Sequence, residues 1–176
     1  MRIFHEHILV KEPKTSERTP WHHDQPYYCV DGDQVCSIWL PLDLVPKKAG
    51  LEFIAGSHAW GKMFMPKKFL TNEEYTYKTG SFDSIPDIEA NRDQYEILSW
   101  DLELGDCIVF HFKTLHGGAG NLSQRSRRRA FSSRWIGDDA VFADRPGETS
   151  PPFPELSSFK QGDLFDHPLF PVCWKR

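Results

Sequence analysis

No stretch of this chain is apolar for long enough to cross a bilayer: its uninterrupted apolar runs are a few residues long, against the roughly 20 that a spanning helix needs. Its four cysteines, Cys29, Cys36, Cys107 and Cys173, are widely spaced and form no C-x-x-C pair, which argues against a zinc ribbon or a thioredoxin-like redox centre. Near the start stand His5, Glu6 and His7, where a secretion signal needs an apolar run, so the cysteines read as free thiols in a soluble, cytoplasmic protein. A net charge of -4 and a pI near 6.0 argue against an extended nucleic-acid surface, despite the basic run at 125–129. There is no internal repeat and no low-complexity run. These absences leave a small molecule as the expected partner, while the oligomeric state is not legible.

What is present fits one domain over residues 1–176, since 39% hydrophobic and 14% aromatic residues supply a core for a chain this size. We expect the body at about 7–139 and a proline-rich wrap at about 140–176, where six of the 13 prolines follow Arg145. Residues 8–11 read as a short strand. Residues 27–30 and 35–43 flank Asp31-Gly32-Asp33-Gln34 as a hairpin, and 51–54 are rich in strand formers. From 59 to 100 the signal weakens, with Gly61, Pro66, Gly80 and Pro86 breaking any period, and the stretch is a candidate lid. Residues 96–100 and 107–112 resume strand character around a turn at 103–106. The last clear strand is 128–136, where alternation sends Arg128, Ala130, Ser132 and Arg134 to one face. Many short strands and few short helices predict a mainly β fold, a sandwich or a jelly roll of the double-stranded β-helix (cupin-like) type.

The stretch Trp21-His22-His23-Asp24-Gln25-Pro26 places an imidazole and a carboxylate two residues apart between prolines that disfavour helix. If extended, it aims His22 and Asp24 the same way and His23 elsewhere. A second imidazole would complete a two-histidine, one-carboxylate set suited to non-haem iron(II), with positions left open for other ligands. His111 and His116 are the downstream candidates. His116 is preferred, because Gly117, Gly118 and Gly120 beside it allow close approach, whereas His111 lies inside a hydrophobic strand.

The sequence resembles the phytanoyl-CoA dioxygenase family of iron(II)/2-oxoglutarate-dependent oxygenases from residue 8 to about 152. The pieces that carry the resemblance are Pro20-Trp21-His22-His23-Asp24-Gln25, Ile38-Trp39-Leu40-Pro41-Leu42-Asp43, and Gly50-Leu51-Glu52-Phe53-Ile54-Ala55-Gly56-Ser57-His58. Gly105-Asp106, His116-Gly117 with Asn121, and Arg128-Arg129-Ala130 complete the set in family order. The resemblance implies that His22, Asp24 and His116 hold Fe(2+), and that a basic residue soon after His116 binds the far carboxylate of 2-oxoglutarate. Arg128 fits the family's Arg-x-Ala pattern, with Arg127 as the fallback, and an arginine suits the task because its fork matches a carboxylate. Formal charges of iron(II), Asp24, a dianionic cosubstrate and one arginine then cancel. Trp39 falls at a family position beside the cosubstrate.

What the family does implies consumption of O2 and 2-oxoglutarate, release of succinate and CO2, and hydroxylation of an unactivated C–H bond. An intact Asp24 favours hydroxylation, since related halogenases carry a small residue there. His23 stands where the family often has Gln, as an exposed residue, a support or an alternative ligand, and Ala49 replaces the usual Asn. The family's helical N-terminal region is expected either to be missing or to be replaced by another element over the sheet. Tyr27, Tyr28, Trp60, Phe64 and Trp135 are candidates for an apolar pocket wall, and Arg134 is a candidate partner for an anionic substrate. Two rivals remain: a metal-binding β-barrel without oxygenase activity, and a cupin-type metal-dependent hydrolase or isomerase.

Overall fold

The computed structural model describes residues 1–69, 73–75 and 82–175. Among the described residues ten strands run in chain order: β1 Arg2–Lys11, β2 Thr19–His22, β3 Val30–Asp31, β4 Val35–Pro41, β5 Leu51–Ile54, β6 Ile97–Leu98, β7 Ile108–His111, β8 His116–Gly118, β9 Arg128–Ile136 and β10 Val141–Phe142. They form two four-stranded antiparallel sheets, ordered β1-β9-β4-β7 and β2-β8-β5-β6, and a small β10-β3 pair. The two larger sheets meet through Trp39, Phe110 and Ala130 on one side and Leu51 and Phe53 on the other, which makes the fold a jelly roll. Each large side chain buried there contributes about 1.5–3 kcal/mol.

The alternating strands form as their patterns dictate. On β4, Val35, Ser37, Trp39 and Pro41 are buried, with half-buried residues between them. On β9, whose observed bounds coincide with the expected ones, Arg128, Ala130, Ser132 and Arg134 all point inward. The turn at 103–106 is also present, closed by Asp106 N–H to Glu103 O (3.2 Å), with Gly105 at positive φ.

Two expectations fail. The first strand begins at Arg2 rather than at 8, because its register on β9 runs its full length with a bulge between Ile3 and His5. That bulge buries both Phe4 and His5, so the strand's first half shows no simple apolar alternation. Residues 27–30 and 35–43 do not pair as a hairpin. Gln25–Tyr27 is a 3-10 turn, β3 pairs with β10, and β4 lies between β9 and β7. The Asp139 carboxylate accepts from the N–H groups of Asp33 (2.9 Å) and Gln34 (3.0 Å), so a distant residue fixes this turn.

The segment after 140 is more than a wrap. Leu156, Phe165 and Phe170 pack with Phe4, Tyr28 and Phe112 in one buried cluster, while Val172 bridges Arg2 at the free edge of β1. Within the candidate lid, Lys67 N–H donates to the Tyr27 hydroxyl (2.6 Å), which donates to Lys67 O (2.8 Å). Residues 70–72 and 76–81, including Gly80, lie outside the described residues. Among the described residues, no helix is long and apolar enough to cross a membrane.

Candidate metal centre

The two histidines meet because their strands pair. β2 and β8 bring His22 directly opposite His116, with ring centroids 4.2 Å apart. Asp24 arrives differently from the extended geometry expected. It is the residue before the 3-10 turn and has helical φ and ψ, while its N–H and that of Gln25 both donate to Phe112 O (2.8 and 3.1 Å). The turn, rather than a straight strand, swings its carboxylate to the imidazoles.

Asp24 Oδ1 lies 3.7 Å from His22 Nε2 and 3.8 Å from His116 Nε2, and all three residues are buried. Among the described residues this is the one set of three whose ligand atoms lie within 4.8 Å of one another. These separations exceed a hydrogen bond. Two donors sharing one ion at about 2.1 Å each are at most about 4.2 Å apart, so the spacing suits a common cation.

The other ring nitrogens decide which face is presented. His22 Nδ1 donates to Pro20 O (2.8 Å) and His116 Nδ1 to Thr114 O (3.0 Å). A carbonyl only accepts, so each Nδ1 carries the proton and each Nε2 turns a lone pair toward Asp24, the tautomer a metal requires. Burial, with His116 beside it, pushes the His22 imidazole down to about 3, and burial also lowers His116. Both rings are therefore neutral at physiological pH. Burial opposes ionisation of Asp24, but Arg134, His116, His22 and the Ser37 hydroxyl outweigh it and hold the carboxyl well below the usual carboxylate range. Ser37 Oγ donates to Asp24 Oδ2 at 2.6 Å. Two neutral nitrogens and one anionic oxygen, buried and pre-oriented, fit a divalent transition metal.

The triad opens into a cavity of about 210 Å³. Arg128 lines it, buried and donating to Ala49 O and to Ala119 O (3.2 Å); among the described residues no carboxylate pairs with it. Trp39 lines it too and is also a core residue. Arg127 does not: its side chain is half exposed and pairs with Glu12 (3.3 Å). His23 is buried but turned away, its Nε2 accepting from Phe64 N–H (2.9 Å), so it braces the neighbouring segment. His111 bonds to Asp33 O (3.1 Å) and lies outside the triad.

Of the aromatic candidates, Tyr27 and Tyr28 line the cavity. Phe64 is core, Trp60 is partly exposed, and Trp135 lies on the outer face of β9. Sequence reasoning missed Ser37, Lys11 and Phe69. Lys11 shares Ala119 O (3.1 Å) with Arg128, and burial, with Arg128 nearby, pushes its amine down to about 8. Phe69 lies edge-on to His22 at 4.7 Å. The inward alternation of His5, His7, Leu9 and Lys11 was the available signal for Lys11 once the strand is known to start at Arg2.

Beside the triad the glycines permit close contact. A Cβ at Gly120 would lie 2.5 Å from Thr15 O, and one at Gly117 would lie 3.2 Å from Thr19 O.

The model of the family described as phytanoyl-CoA dioxygenase (PhyH) matches residues 1–130. A Caenorhabditis elegans protein described as a probable phytanoyl-CoA dioxygenase is 25% identical over 148 residues, covering 79% of this chain and 44% of that protein. The chain thus spans less than half the length of this relative. Among solved structures, the non-heme alpha ketoglutarate dependent carbocyclase SnoK from nogalamycin biosynthesis superposes with a TM-score of 0.69 at 23% identity, covering 97% of this chain and 61% of that one. The epimerase SnoN in complex with Fe3+, alpha ketoglutarate and nogalamycin RO gives a TM-score of 0.65 at 23% identity, covering 97% and 64%. EvdO2 from Micromonospora carbonacea var. aurantiaca, complexed with 2-oxoglutarate, gives 0.55 at 22%, covering 85% and 54%. These structural likenesses establish a shared fold.

Proposed function

The chain belongs to the phytanoyl-CoA dioxygenase family, and from that premise we propose that it is an iron(II)- and 2-oxoglutarate-dependent dioxygenase that hydroxylates a small organic metabolite, with succinate and CO2 as coproducts. The observation that carries this reading is a buried His22–Asp24–His116 set opening into the same cavity as Arg128, a buried arginine with no carboxylate partner among the described residues. When bound, iron supplies the activation of O2 and the oxidative decarboxylation of 2-oxoglutarate, chemistry no side chain offers.

The residues do the rest. His22 and His116 offer Nε2 lone pairs fixed by main-chain acceptors, and Asp24 offers one carboxylate oxygen while Ser37 occupies the other. Arg128 receives the far carboxylate of 2-oxoglutarate; part of its guanidinium is spoken for by carbonyls, which orients the remainder. Trp39 closes the wall beside it and helps exclude water. Tyr27 and Phe69 stand where an apolar part of the substrate would enter. The four cysteines stand apart as thiols, which fits a cytoplasmic setting.

A cupin-type hydrolase or isomerase would use the same triad without needing a buried cation in the cavity, and Arg128 argues against it. The test is titration of the iron(II)-loaded protein with 2-oxoglutarate under argon. A weak visible charge-transfer band should grow in and saturate; iron-loaded protein that shows no band at millimolar 2-oxoglutarate would leave only the rivals. Admission of air with candidate substrates should then release succinate and a hydroxylated product.

A further inference from the structure

The charge count that closes at one arginine does not close in this cavity. Arg128 and Arg134 stand on the same inward face of β9, about 20 Å apart along the strand. Arg134 is only 6% exposed, and a buried guanidinium is costly unless it is paired. Its Nε donates to the Tyr28 hydroxyl (2.8 Å) and its Nη1 to Ser132 O (2.8 Å), both neutral acceptors. Nη2 has no hydrogen-bond partner among the described residues. Among the described residues the one anionic group near it is Asp24, whose Oδ2 lies 3.9 Å from Nε.

That charge is already committed. With a metal in the triad, Asp24 neutralises part of the divalent ion, the dianionic cosubstrate the remainder together with Arg128, and Arg134 is left as an uncompensated buried cation. Lys11 does not relieve this, since it is itself a cation and among the described residues bonds to the carbonyls of Glu17 and Ala119. Its other described neighbours are aromatic: Tyr28 lies under its guanidinium at 5.9 Å, with His5 edge-on to Tyr28 at 4.9 Å and His7 edge-on to His5 at 4.7 Å. His7 and Tyr28 both line the cavity.

We infer that the primary substrate of this site carries an anionic group, a carboxylate or a phosphate ester, and that Arg134 holds it at the end of β9 remote from Arg128. The inference rests on the oxygenase reading and names the substrate class for it. His7 and the Tyr28 ring form the wall against which the anionic end lies, while the Tyr27–Phe69 pair, 5.5 Å between centroids, meets the less polar part.

The experiment uses the iron(II) protein with 2-oxoglutarate under argon, so the oxygenase reading is tested first, by the appearance of the charge-transfer band. Matched acids and neutral isosteres are then titrated in: benzoate against benzamide, phenylacetate against phenylacetamide, phenyl phosphate against phenol, and inorganic phosphate alone. Perturbation of the band reports binding next to the metal. At least one acid or phosphate ester should bind about tenfold or more tightly than its isostere, as expected for a charge-assisted hydrogen bond. Carboxylates leading identifies a carboxylate substrate, and phosphates leading identifies a phosphate ester.

In Arg134→Gln the preference should vanish while the concentration of 2-oxoglutarate giving half the band stays within about twofold of wild type, and Arg134→Lys should restore part of the preference. Iron content is measured for both variants, and the wild-type acid-to-isostere ratio stands as a result if neither variant folds. Isosteres binding as well as acids, or no panel member binding to a protein that forms the band, would overturn the inference and leave the oxygenase reading intact. A tenfold loss of 2-oxoglutarate affinity in Arg134→Gln with iron retained would assign Arg134 to the cosubstrate and overturn it as well.

Discussion

The Ser37 hydroxyl donates to Asp24 Oδ2 across 2.6 Å, linking the central strand of one sheet to the carboxylate that serves the other. Ser37 has no solvent exposure, so its hydrogen bond has no water to compete with. The bond occupies one carboxylate oxygen and leaves Oδ1 toward the two imidazoles.

Ser37→Ala should therefore weaken metal binding about 10- to 100-fold, the usual effect of losing a group that orients a ligand, without unfolding the protein. Competition for iron(II) or a colourless divalent surrogate against a chelating dye measures it. Unchanged affinity would mean that the hydroxyl merely fills space.

Asp24→Ala should abolish succinate formation. The variant loses the one anionic oxygen of the triad, and Arg134 and Ser37 then face a void with their partner gone. Wild-type turnover measured by succinate release would sink the assignment of the triad.

Arg128 and Arg127 should separate cleanly. Arg128→Ala is expected to raise the concentration of 2-oxoglutarate needed for half the charge-transfer band by about 10- to 100-fold, the worth of a charge-assisted pair. Arg127→Ala should leave it unchanged, since Arg127 is on the surface with Glu12. Equal effects from the two variants would contradict the assignment.

Acid should destabilise the metal-free protein well before ordinary carboxylates titrate. Burial pushes His5 and His22 down to about 3 and His23 down to about 4, so all three stay neutral in the fold while the unfolded chain takes up protons below about pH 6.5. Stability is full above that value and falls as pH drops from about 6.5 toward 4, by about 1.4 kcal/mol per pH unit for each such histidine. Urea unfolding at pH 7, 6 and 5 checks the slope. His5→Phe should make it shallower by about one proton, and an identical slope would mean that His5 is not held neutral.

Gly120→Ala should cost about 1–3 kcal/mol, because its Cβ would press on the backbone of Thr15 and Ser16 rather than on a side chain that can move. Thermal unfolding reads this directly; a neutral effect would mean that the loop joining β1 and β2 yields freely.

The strand that carries both cavity arginines was legible to the residue, since Arg128–Ile136 alternates and its inward side is what periodicity predicts. The triad was legible for a different reason: its three candidate ligands are chemically distinctive and stand in a recognisable order. Less legible were features fixed at long range. Nothing local reveals that Asp139 closes the turn at Asp33 and Gln34, which is why an apparent hairpin pairs elsewhere. The first half of β1 was hidden because the bulge between Ile3 and His5 buries a polar His5 beside Phe4, so burial there does not follow hydrophobicity. Ser37 and Lys11 were hidden because a serine and a lysine on strands carry no signal until the facing sheet is known.

The acceptors that hold His22 and His116 in place are main-chain carbonyls two residues before each ring. Every amino acid supplies that atom. Residues 20 and 114 are free to exchange side chains as far as this contact is concerned, provided the backbone path is kept. The tautomer of both imidazoles is thus inherited from the route of the chain, and the donor geometry is insulated from drift in the surrounding sequence.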